Sequence, residues 1–114
     1  DESLLVDHID TDMCMRVNSL GHQIGLLKNF IFEHRIGDRV AYSLLGIKLQ
    51  SGGHSIARRR SIGHNTAVLL KRYYNCTSFQ VLCLVRMIYE SIGILLVEKQ
   101  KLRKLKALWA GFLL

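Results

Sequence analysis

A chain of 114 residues, 49% hydrophobic, with no proline and a formal net charge of +7, is sized for one domain around one core. The lack of proline argues against an all-β domain, which needs turn clusters every ~8–12 residues. Its three cysteines, Cys14, Cys76 and Cys83, are too few and too widely spaced for a disulfide framework. The surplus of Lys and Arg points toward anionic partners, nucleic acid or anionic lipid, because clustered positive side chains raise the local potential and release counterions from phosphates.

The charge is unevenly spread. Asp1, Glu2, Asp7, Asp10 and Asp12 all precede the first Arg or Lys, Arg16, so an acidic leader heads a basic body. No initiating Met and no secretory leader opens the chain, and residue 1 reads as a processed terminus or a chosen boundary. Unframed cysteines favour an intracellular protein. Asn75-Cys76-Thr77 satisfies the N-glycosylation pattern, which matters only if the chain is secreted.

In chain order, Leu5, Ile9, Met13, Val17 and Leu20 draw one apolar stripe down a first helix over 3–20, with Ser3 as its cap. Gly21 punctuates. Ile24, Leu27, Phe30 and Ile31 predict a second helix ending at Gly37, and Asp38 would cap a third through Val40, Ala41, Leu44, Leu45 and Ile47. Ser51-Gly52-Gly53 ends that helix as a loop. From His54 to Tyr74 the pattern is helical again, but Gly63 weakens it by about 1 kcal/mol relative to Ala, leaving one helix or two. Thr77 or Ser78 would cap an apolar helix over 79–97, in which Arg86 and Glu90 would pair with each other where the helix meets water. Residues 99–114 then form a basic amphipathic helix with Leu102, Leu105, Trp109 and Phe112 along one side. The expectation is an all-α fold: a single compact domain over 1–114, with acidic leader and first helix at 1–15. Five or six helices would surround the central apolar helix at 79–97.

The function expected is binding without a catalytic site, metal or cofactor. Nucleic-acid phosphates are the first partner. Arg58, Arg59 and Arg60 offer guanidinium forks, Lys71 and Arg72 extend the patch, and Lys101, Arg103, Lys104 and Lys106 add to it. The acidic leader would lie over that face when no ligand is bound, and a homodimer is admissible. The alternative is a module for an acidic protein or anionic membrane surface that anchors through Trp109 and Phe112. No two histidines stand at i and i+4 and no Cys-x2-Cys occurs, so no metal site is expected.

Arg59-Arg60-Ser61-Ile62-Gly63-His64 has the Arg-x4-His spacing and resembles the catalytic element of HEPN-type helical ribonucleases. The resemblance implies a metal-independent ribonuclease on a small all-α domain, with His64 handling the 2′-hydroxyl or leaving-group proton and Arg59 stabilising the phosphate.

Overall fold

The computed structural model describes residues 4, 7–25, 27–29, 40–44 and 47–114. In chain order these form α1 (Ile9–Ser19), β1 (Val40–Leu44), β2 (Ile47–Ser51), α2 (Ile56–Arg72), α3 (Thr77–Val97) and α4 (Lys101–Phe112). The protein is mostly helical, as its composition suggests, but four helices stand among the described residues where five or six were expected.

α1 begins after His8, which takes the left-handed conformation at φ 69° and makes no side-chain cap. Asp10 and Asp12 occupy its first turn, where carboxylates face the positive end of the helix dipole. Gly21 terminates it at φ 79°, a conformation that suits glycine, with its amide donating to the carbonyl of Asn18. The second helix expected from here is not found over 21–25, which carry no regular structure. Residues 27–29 carry no helix either, and residues 26 and 30–37, with the cap at Asp38, lie outside the described residues.

The third expected helix is instead an antiparallel pair of strands, in register from Val40 opposite Ser51 to Leu44 opposite Ile47. Only two residues, Leu45-Gly46, separate the strands, a spacing that favours tight strand reversal over a helix.

α2 runs unbroken through Gly63, and Ser55 caps it by accepting from the Arg58 amide at 3.2 Å. It is the helix with the most buried residues, among them Arg59, Ile62, Asn65, Thr66 and Leu69. α4 crosses it at very close range. A Cβ added at Gly63 would collide with the carbonyl of Leu108, and one at Gly111 with the carbonyl of Arg60, so both helix backbones approach where a side chain has no room. Small residues at Gly63, Ala67, Ala107 and Gly111 keep a four-residue spacing on the two helices, the pattern that permits such an approach.

The expected central position of the helix at 79–97 is not observed. Only 22% of the most apolar stretch of α3 is buried. Its inward side contributes Phe79 and Cys83 to one core with Leu4 and Leu69, and Met87 and Ile94 to a second with Ile62 and Leu108. Each large aliphatic side chain buried there stabilises the fold by roughly 1.5–3 kcal/mol. The residue before α3, Cys76, makes no side-chain cap, and neither Thr77 nor Ser78 takes that position.

Candidate functional site

The charged residues of α2 point in three directions with three outcomes. Arg59 is fully buried and donates to Glu90 on α3, to Glu98 just beyond it, and to Ser51 Oγ at the end of β2, the last at 3.1 Å. Glu98 also accepts from Ser51 Oγ and holds Lys104 Nζ at 2.7 Å. Burial alone would raise the Glu98 carboxyl. Hydrogen bonds from Lys104, Ser51 and Arg59, with the Arg59 charge, outweigh it and hold the carboxyl below its ordinary pKa. One arginine thereby ties β2, α3 and the approach to α4 together.

Arg58 takes the opposite direction and grips both carboxylate oxygens of Asp7 at 3.2 Å each, a bidentate fork. Asn65 donates to the Asp7 carbonyl at 2.8 Å. His8, next in sequence, lies buried between α2 and α3. The Thr66 hydroxyl gives its proton to the Ile62 carbonyl, so His8 Nε2, 3.1 Å away, must be the donor. Its Nδ1 is then the acceptor for Arg86 Nη1 at 3.3 Å. Burial first, and the Arg86 charge second, depress the His8 pKa to about 4, consistent with the neutral imidazole this bonding requires.

At the far end of α2, Asp12 accepts hydrogen bonds from Arg72 Nη1 at 2.7 Å and the Tyr73 hydroxyl at 2.8 Å, and Arg16 Nε lies 3.0 Å from its other carboxylate oxygen as an ion pair. Burial would raise its pKa, but the bonds from Arg72 and Tyr73 hold it below the ordinary value. Burial, then the bond to Asp12, raise Tyr73. Asp7 and Asp12 each pair with an arginine of α2, Arg58 and Arg72.

This bonding corrects the expected basic face. Arg59 is interior, and Arg58, Arg72 and Lys104 are engaged with Asp7, Asp12 and Glu98. Arg60, Lys71, Lys101, Arg103 and Lys106 are exposed. The Arg59 and His64 expected to act together are separated in environment, since Arg59 is enclosed by carboxylates while His64 faces solvent. Arg86 and Glu90 do not form their expected bond at a wet rim; each turns inward, to His8 and Arg59. Of the two expected anchors, Phe112 packs on the second core, edge-on to Trp109 with ring centres 5.6 Å apart. Trp109 is 37% exposed and donates from Nε1 to Ser91 Oγ at 3.1 Å. The three cysteines are free thiols, and among the described residues no group of three His, Cys, Asp or Glu side chains is placed to hold a metal ion.

Turning Arg86 and Glu90 inward leaves the outer side of α3 apolar from Val81 to Leu96 apart from the Tyr89 hydroxyl. Val81, Val85, Ile88, Ile92 and Leu95 follow one another at three- and four-residue steps, flanked by Leu82, Leu84, Tyr89 and Leu96, and all are exposed. Among the described residues α3 is the one helix long and apolar enough to cross a membrane. The length of the apolar run signalled this feature in the sequence; which way it faced depended on partners far away along the chain.

The chain is similar to the dTDP-rhamnosyl transferase RfbF of Shigella flexneri, with 26% identity over 106 residues, covering 93% of this chain and 35% of that protein. The chain thus spans about a third of the length of the curated relative it matches. No family model matches it, and no solved structure does.

Proposed function

We propose that this chain is a helical part of a glycosyltransferase that takes its sugar from a nucleotide donor, serving as a scaffold within that enzyme. The observation that carries this reading is the similarity to a dTDP-rhamnosyl transferase, which runs through 93% of the chain instead of being confined to one motif. The scaffold role is supported by where the charges go: Asp7, Asp12, Glu90 and Glu98 are engaged in bonds between elements, which suits holding helices in place better than catalysis. The test is release of dTDP from dTDP-rhamnose by the intact gene product, supplied with a membrane extract as acceptor source. Acceptor-dependent release supports the reading. A folded protein that neither binds nor consumes any of a panel of dTDP-sugars and UDP-sugars overturns it.

A second reading, sequence-independent contact with nucleic-acid phosphates, is favoured by the exposure of Arg60, Lys71, Lys101, Arg103 and Lys106. Five phosphate contacts would lower the logarithm of affinity against the logarithm of salt with a slope of about −4 to −5 on duplex DNA. Binding that changes little with salt, or is unaltered by replacing Arg60 and Lys71 with Ala, overturns it.

A further inference from the structure

We infer that the outer face of α3 lies in the plane of an anionic lipid bilayer, with the basic residues after it bound to lipid headgroups. The inference moves the contact surface from Trp109 and Phe112, where the sequence placed it, to α3. It stands apart from sugar transfer, since it rests on exposure and charge alone.

The face is a continuous apolar arc along a helix of 21 residues, about 31 Å long at 1.5 Å per residue. Soluble proteins rarely expose contiguous apolar surface of that extent without an occupant. The arrangement across the helix decides how a bilayer would meet it. The inward side carries Arg86 and Glu90, bonded to His8 and Arg59 of the protein body. A spanning helix would drag those charges and their partners into hydrocarbon, whereas a helix lying flat buries only the apolar arc and leaves the polar body in water. Tyr89 is half exposed within the arc, and Trp109 is held at its margin by the bond to Ser91. Such rings, apolar with one polar handle, favour the headgroup level.

Charge selects lipid over a second copy of the chain. Lys99, Lys101, Arg103 and Lys106 are exposed just beyond the C-terminal end of α3, and Lys71 is exposed before its N-terminal end. Pairing two copies through α3, parallel or antiparallel, would set basic ends against basic ends. An anionic surface offers basic residues beside the arc a counter-charge instead.

The test is flotation of the protein with vesicles of phosphatidylcholine alone and of phosphatidylcholine mixed with phosphatidylglycerol. Fluorescence of Trp109, the single tryptophan, is followed in parallel. Binding to the mixed vesicles with a blue shift is expected, weakened roughly tenfold or more by Val85→Asp combined with Ile88→Asp. Both positions are exposed, so the helix content read by circular dichroism should be unchanged. Replacing Lys101, Arg103 and Lys106 with Ala should weaken binding to mixed vesicles and reduce its salt dependence. Failure to float, or flotation indifferent to both sets of substitutions, overturns the inference. So does concentration-dependent dimerisation that Val85→Asp/Ile88→Asp abolishes while vesicles go unbound, which would assign the face to a second copy.

Discussion

Gly63 on α2 and Gly111 on α4 each lie where the other helix's backbone leaves no space for a methyl group: Gly63 faces the Leu108 carbonyl and Gly111 the Arg60 carbonyl. Neither obstacle is the end of a flexible side chain, so a substitution has to move a helix. Gly63→Ala should therefore cost about 1–3 kcal/mol of overpacking against a helix-propensity gain of about 1 kcal/mol, a net loss of up to about 2 kcal/mol. Urea unfolding followed by circular dichroism checks this; a stabilised variant would mean the crossing is looser than described.

Arg59 and Glu98 supply a second prediction. Arg59→Ala takes the arginine partner from Glu90 and from Glu98, which keeps Ser51 and Lys104, and removing one member of a buried ion pair typically costs ~3–5 kcal/mol. Glu98→Ala in that background removes a carboxylate that has already lost its arginine, so the double variant should be less destabilised than the two single effects added together. A double-mutant cycle in urea measures the coupling. Additive effects would show that the pair does not hold β2, α3 and α4 together.

The pH dependence follows from His8. Its pKa falls from 6.5 to about 4 on folding, so between those values the unfolded chain binds the extra proton and stability declines as pH is lowered. Asp12 and Glu98, both held below their ordinary values, extend the decline at more acidic pH, because their stabilisation is lost as pH falls through the folded pKa. His54 is also lowered by burial and by Arg58 and acts in the same direction as His8. His8→Asn suits the left-handed backbone and should flatten the slope of stability between about pH 6.5 and 4, leaving the His54 part. An unchanged slope would remove His8 as its main source.

Cys83 is buried, and burial raises its thiol pKa, while Cys14 and Cys76 are partly accessible. Native protein treated with a chromogenic disulfide should release two equivalents quickly and the third only as fast as the core opens. Three equal rates would place Cys83 outside the core.

Much of this fold was legible where its cause is local. The helices at 9–19, 56–72, 77–97 and 101–112 follow from apolar spacing within one or two turns, and Gly21 marks its helix end through its own backbone conformation. The strands at 40–51 were misread because Val40, Ala41, Leu44 and Ile47 also fit three- and four-residue steps; the better signal was the glycine in a two-residue connection. Arg59 read as a surface cation because its carboxylates lie 31 and 39 residues away. The direction of α3 was hidden for the same reason. A helix apolar on nearly every side can be turned either way, and His8, 78 residues from Arg86, is among the partners that decide it.

The bonds from Asp7, His8 and Asp12 to α2 span 51 to 60 residues of chain, whereas α2, α3 and α4 follow one another with short connections. Closing the long loop has a large entropic cost that the helices near one another avoid. The three-helix portion should thus assemble first and the amino-terminal segment dock onto it last. In reverse, it should be the first part to lift away, and native-state hydrogen exchange would then show α1 amides opening well below the free energy of global unfolding.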